Sequence, residues 1–225
     1  MKKYLRRENV LLKRNGIREA IIKHINANIG LYFLVFTFFA IGIATGAFSV
    51  KALDGTQRQS LIEYMQDFFQ VLLKKDVDSY GVLGQSIKNN MLTGFLIWIF
   101  GISVVGIPLT LIIVAIRGFI LGFTVSFLIN SMGIKGVLFS ALAILPQNLI
   151  IIPCIVAIGV VSISFSRMVI KNKITKKWTH NYWQKFFSYS MIIIIFLLVS
   201  IAGSLIEAYI VPVFAKVMSS YLTAS

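Results

Sequence analysis

The sequence predicts an all-α protein: a polytopic membrane helical bundle of about five transmembrane helices, with an amphipathic helix in the outer loop. Three observations carry that prediction. Of the 225 residues, 57% are hydrophobic and only 13% charged, well below the roughly 25% charged residues of a soluble domain. The apolar residues come in uncharged runs long enough to cross a hydrocarbon core of about 30 Å as helices. The cations behind the net charge of +14 sit in two blocks, each abutting such a run. That is the arrangement of the positive-inside rule, and it argues against a nucleic-acid-binding face.

Residues 1–27 form a basic tail with Lys2, Lys3, Arg6, Arg7, Lys13, Arg14, Arg18 and Lys23 against Glu8 and Glu19. Ile17, Ala20, Ile21 and Ile25 recur in it at helical spacing. The tail either lies on an anionic membrane surface or serves only as a topogenic signal. Residues 28–50 carry no charge and form helix 1, a retained anchor by its length and its lack of a cleavage site. Gly42 and Gly46, four apart, allow a second helix to approach closely.

Residues 51–89 are the one sizeable polar segment between spans, and their charges cancel, which fits an outside location. Thr56 with Gln59 reads as a capping box. Leu61, Ile62, Met65, Phe68, Phe69 and Leu72 then follow at helical spacing, with Gln59, Glu63, Gln66, Asp67 and Gln70 opposite. This amphipathic helix rests its apolar stripe on the membrane or the bundle, or offers it to a partner helix, making Leu61, Met65, Phe68, Phe69 and Leu72 the candidate partner-binding residues.

Residues 90–132 are too long for one span and predict a hairpin. Its natural break is Gly106-Ile107-Pro108, because proline suits the first turn of a helix. Helix 2 then covers 90–105 and helix 3 covers 108–132, which places Arg117 about 13 Å along helix 3, near mid-bilayer. The competing reading turns the chain at Arg117-Gly118 and leaves the arginine at the surface. Gly118 and Gly122 repeat the close-approach spacing of helix 1.

Helix 4, over 136–165, is expected to break at Pro146 and Pro153, since each proline removes a donor and frees a carbonyl upstream. Such a break at membrane depth needs polar neighbours, which Gln147 and Asn148 can supply. Residues 166–189 are a basic, aromatic and acid-free loop, therefore cytoplasmic. Helix 5 covers 190–213, with Glu207 in its outer part and Pro212 at its exit. Residues 214–225 form an outer tail.

No phosphate-binding loop, nucleophile elbow, zinc-protease motif or paired intramembrane carboxylates occur in the sequence, so no enzymatic activity is expected. No cofactor or metal is expected either, and the single Cys154 reads as a packing residue. The polar residues inside the bilayer are Arg117, Gln147, Asn148 and Glu207. Charge in lipid is costly and calls for a partner. The Gln147-Asn148 break is the first expected partner of Arg117 and Glu207 the second; Arg117 as a mere staple of the bundle, or snorkelling inward, is the bland alternative.

The runs IGLYFLVFTFFAIGIATGA, LIEYMQDFFQVL, NNMLTGFLIWIFGISVVGIPLTLIIVAIRGFILG and LPQNLIIIPCIVAIG, in that order and spacing, together resemble the stage II sporulation protein M family of endospore-forming bacteria. The wider family has a Pro-His-Gly segment with a downstream Glu before the second proline. Here those positions read Pro146-Gln147-Asn148 and Ile151-Ile152-Pro153, so that ionisable pair is missing. The resemblance implies a non-enzymatic scaffold in the mother-cell and septal membrane, required for engulfment, that positions the peptidoglycan-degrading stage II sporulation proteins D and P. It leaves room for a homo-oligomer. A small transporter centred on Arg117, Gln147 and Asn148 is the alternative, and a regulator acting through the basic tail is a third.

Overall fold

The structure, a computed structural model, describes residues 25–74, 79–175 and 182–223, with side chains at 68–74, 79, 175 and 215–223 set aside. The basic tail before residue 25 and most of the basic loop's centre lie outside the described residues. Among those described there is no strand. The helices are α1 (Ile29–Ser49), α2 (Gly55–Lys74), α3 (Ser79–Ile102), α4 (Gly106–Met132), α5 (Ile134–Phe139), a π turn (Ser140–Ile144), α6 (Leu145–Thr175) and α7 (Tyr182–Thr223). Four stretches are long and apolar enough to cross a membrane: Ile29–Ala52, Gly106–Met132, Ile134–Ile174 and Tyr182–Phe214. The protein is thus a multi-pass helical bundle.

Helix α3 is the exception among the expected five. It begins at Ser79, eleven residues before position 90, and carries Gln85, Ser86, Lys88, Asn89 and Asn90 in its first half. That polarity keeps it from qualifying as an apolar span, yet it packs against α4, α6 and α7 as a member of the bundle. Helix α7 likewise runs unbroken through 42 residues, with Pro212 inside it, where the sequence suggested an exit. Apolarity marks the lipid-facing length of a helix, whereas backbone hydrogen bonding continues into the polar flanks.

The centre of the bundle is α6. In the most apolar stretch of Ile134–Ile174, 67% of residues are buried, against 28% in each of the other three spans. Helices α1, α3, α4 and α7 all pack on it. Ile158, Val160, Ser162, Ile163 and Ser166 of α6 have at most 1% exposure. Cys154 is a buried free thiol in this same helix.

Helices α1 and α4 run parallel and meet backbone to backbone. A Cβ on Gly42 would fall on the carbonyl of Ala115, and one on Gly46 on that of Phe119. Reciprocally, a Cβ on Gly118 would strike the carbonyl of Phe39 and one on Gly122 that of Ile43. The two glycine pairs therefore belong to a single seam, in which absent side chains let the helices close and gain dispersion contacts along their length. Ser126 Oγ adds a hydrogen bond to the Ala47 carbonyl at 3.2 Å.

The α3–α4 turn lies at Ser103–Val105, with Gly106 donating to the Ser103 carbonyl at 3.1 Å. Pro108 sits in the first turn of α4, where its missing N–H costs no helical bond. Helix α4 continues through Arg117 without interruption, and Gly133, with φ of 60°, reverses the chain into α5. The expected break of helix 4 at Pro146 is a π turn ending at Ile144, two positions before the proline. A wider turn relieves the clash between a proline ring and the carbonyl four residues back. At Pro153 the helix does not break at all.

Helix α2 lies across one end of the bundle. Its N-terminus is capped two residues earlier than the Thr56–Gln59 pair suggested: Gln57 Oε1 accepts from the Asp54 backbone N–H at 3.3 Å. Asp54 is thus the cap and Gln57 its third-position partner. Arg58 Nη2 donates to the Asn130 carbonyl at 3.4 Å. Met65 packs on a small cluster of Leu128, Phe139 and Ala143, together with Val211 and Phe214.

Candidate functional site

Two groups of polar residues lie inside the bundle. One, in the half towards the α3–α4 turn, closes that end. Ser162 Oγ donates to the Ile97 carbonyl at 2.9 Å and shares a hydrogen bond of 3.2 Å with Thr110 Oγ1. Tyr189 Oη donates to the Trp98 carbonyl at 2.8 Å, Trp98 Nε1 to Ser190 Oγ at 3.0 Å and Ser166 Oγ to the Ser103 carbonyl at 2.9 Å. The accepting carbonyls belong to the last turns of α3 and the turn beyond it. Tyr189 stacks on Phe165 with ring centroids 4.3 Å apart. Each of these side chains has a hydrogen-bond or ring partner, and Thr110, Ser162 and Ser166 are fully buried.

The second group, in the half towards α2, surrounds a cavity of about 290 Å³. Arg117 enters it from α4, Gln147 and Asn148 from α6, Glu207 from α7 and Ser86, Asn89 and Asn90 from α3. The four residues named from sequence as the polar centre, Arg117, Gln147, Asn148 and Glu207, thus line one space. Their pairing differs from the expected one. Arg117 does not bond the Gln147-Asn148 segment: its Nε donates to Thr93 Oγ1 at 2.9 Å, its Nη2 to the Asn89 carbonyl at 2.7 Å, and Nη2 also reaches Thr93 Oγ1. Asn148 turns back on its own helix, its Nδ2 donating to the Ile144 carbonyl at 2.8 Å.

Glu207 is held by Ser86 Oγ, which donates to its Oε2 at 2.5 Å, within the range of a hydroxyl bonded to a carboxylate. One turn away, Asn90 Nδ2 donates to Ser204 Oγ at 2.9 Å. Arg117 and Glu207, of opposite charge, line the same cavity, and each is anchored separately. Gln147 Oε1 is buried and has no hydrogen-bond partner. An acceptor left in that state costs about 1–3 kcal/mol, so the site holds an unmet demand for a donor.

The residues that sequence reasoning passed over are Ser86, Asn89, Asn90 and Thr93. They recur at the spacing of one helical face, but a helix drawn from position 90 cuts that stripe in half. Starting α3 at Ser79 restores it. Of the candidate partner-binding residues, Met65 faces the bundle and Leu61 is half-buried; the side chains of Phe68, Phe69 and Leu72 lie outside those described. Among the described residues no group of three or more His, Cys, Asp or Glu is placed to hold a metal ion.

Comparison with known proteins gives one finding. A family model described as stage II sporulation protein M matches residues 35–212, a range that takes in all of the cavity and both glycine pairs. Neither a curated protein nor a solved structure matches the chain. With the family model spanning α1 to α7, this chain belongs to the stage II sporulation protein M family.

Proposed function

We propose that this sporulation membrane protein is a non-enzymatic platform, which positions peptidoglycan-degrading proteins of the stage II sporulation D and P kinds at the septal membrane during engulfment. The two basic blocks place the N-terminus and the α6–α7 connection on the cytoplasmic side, and α2 on the side of the wall. The observation that carries the choice of platform over transporter is the packing beneath the cavity. Below Arg117 and Ile155 the next layer consists of Ile97, Thr110, Val114, Ile158 and Ser162, none more than 1% exposed. A solute entering the cavity meets a wall there, and opening it would break the hydrogen bonds of Ser162 and Tyr189.

Helix α2 supplies the platform's face. Its apolar side is occupied at Met65 by the bundle, while Glu63, Tyr64, Gln66 and Asp67 point away and Tyr64 is 74% exposed. An exposed aromatic flanked by acids on a braced helix suits a protein partner. Co-purification of the two wall-degrading proteins with a Tyr64→Ala, Asp67→Lys variant should fall about tenfold or more, as loss of an anchor residue of about 1.4 kcal/mol or more implies, while membrane insertion stays normal. Undiminished co-purification would move the contact to the lateral faces of the bundle. Solute flux in sealed vesicles, abolished by Arg117→Ala, would instead establish the transporter.

A further inference from the structure

We propose that the cavity between α3, α4, α6 and α7 binds a small zwitterion bearing an ammonium and a phosphate-type oxyanion, the headgroup chemistry of phosphatidylethanolamine. Its oxyanion sits on Arg117 and its ammonium between Glu207 and Gln147. The inference concerns the interior of the bundle and stands whether or not α2 recruits partners.

Charge comes first. The cavity is lined by one guanidinium and one carboxylate, and each is anchored by α3: Arg117 by Thr93 and the Asn89 carbonyl, Glu207 by Ser86. Both keep capacity to spare, since Arg117 Nη1 and Glu207 Oε1 make no hydrogen bond among the described residues. A lone anion placed here would be repelled by Glu207 and a lone cation by Arg117. A ligand carrying both charges satisfies both walls, and charge-assisted hydrogen bonds are about twice as strong as neutral ones.

The orphaned amide gives the ligand its direction. Gln147 Oε1 is buried with no partner, and its backbone lies against Gly203, one turn from Glu207 on α7. Two acceptors therefore stand on the α6–α7 side, facing donors on α4. An ammonium has three N–H groups to give, enough for both acceptors.

Size and access fit a headgroup. The volume of about 290 Å³ is at the small end for ligand sites. Ile120, on the cavity's edge, is 54% exposed in the middle of a membrane-crossing helix, so the edge reaches the lipid-facing surface. Leu121, Ile152 and Ile155 on the wall offer apolar contact to the glycerol end of a lipid. The same chemistry exists as free phosphoethanolamine, which would enter from the aqueous side.

The test uses the full chain purified in detergent. Equal amounts of phosphatidylethanolamine and phosphatidylglycerol are offered, and the retained lipid is weighed by native mass spectrometry. We expect a preference of about tenfold for the ethanolamine lipid, falling to near parity in Gln147→Met and in Glu207→Gln. Gln147→Met should keep or raise Tm, because it removes an acceptor that has no partner; a merely structural Gln147 would lower Tm on substitution. If the source is aqueous, free phosphoethanolamine raises the Tm of the wild type and not of Gln147→Met, and no lipid preference is seen. The proposal is overturned if the wild type prefers neither ethanolamine compound over phosphatidylglycerol and glycerol phosphate. It is equally overturned if the preference survives both substitutions in folded protein.

Discussion

The two polar regions of the bundle are built from similar materials and end in opposite states. Around Tyr189 and Ser162, hydroxyls donate to carbonyls in the last turns of α3 and the Trp98 indole N–H donates to Ser190 Oγ, which ties α3 to α6 and α7. Around Arg117 and Glu207, two charges are each tied to α3 but not to one another, and a cavity separates them. The difference shows what intramembrane polarity is used for in each half. Where hydroxyls bridge helices, as at Ser162 and Tyr189, polarity fastens them; around the cavity the acceptor Gln147 Oε1 is left over, and polarity there has been kept for something else.

The largest expected effect removes the contrast altogether, because both halves lean on the α1–α4 seam. Overpacking a core ordinarily costs about 1–3 kcal/mol when a side chain can yield. At Gly118 the obstacle is the Phe39 carbonyl, and a backbone cannot step aside. Gly118→Leu should therefore abolish accumulation of folded protein in membranes, as read by detergent-soluble monodisperse protein. Gly30→Leu, at a position with nothing within 4 Å, should leave it unchanged. Equal yields for the two would mean that the seam does not hold the bundle.

Next in size is Tyr189→Ala, which removes the ring stacked on Phe165 and the donor to Trp98. It should cost about 3 kcal/mol, the lower end for a core aromatic, seen as a lower Tm in detergent. Arg117→Met should cost less. Its hydrogen bonds to Thr93 and Asn89 are lost, but so is the desolvation penalty of a buried guanidinium, and replacing buried charge by apolar volume is often nearly neutral. Should Arg117→Met be the more damaging of the two, the outer centre is a structural staple after all.

Much of this contrast was legible in the sequence, for identifiable reasons. Uncharged runs, the glycine pairs and the chain break just ahead of Gly106 and Pro108 are local signals, and each depends on only a few neighbouring residues. Arg117, Gln147, Asn148 and Glu207 could be named because charge and amides in apolar runs are rare. The partners of Arg117 could not, because Thr93 and Asn89 come into reach only through the helix that starts at Ser79, and polar residues there look like the edge of a loop. The capping of α2 shifted to Asp54 and Gln57 because two cap patterns overlap there, two residues apart. The closed half was the least legible. Ser162, Ser166 and Tyr189 sit in apolar runs where a hydroxyl reads as incidental, and their role comes from carbonyls some 60 to 90 residues away in the chain.

The smallest effect gives the finest discrimination, since the same substitution is made once in each half. Ser162 has 0% exposure and Ser140 5%. Ser162 Oγ is bonded to the Ile97 carbonyl, whereas Ser140 Oγ, at the start of the π turn, has no partner. Removing a hydroxyl that bridges helices inside a membrane protein costs about 0.6 kcal/mol on average and up to about 1.7. Removing an orphaned one gives back its desolvation cost. Ser162→Ala should therefore lower Tm and Ser140→Ala should hold or raise it, with the two proteins equal in volume lost. If both fall alike, Ser140 has a partner in the folded membrane state, and the contrast between the two hydroxyls is lost.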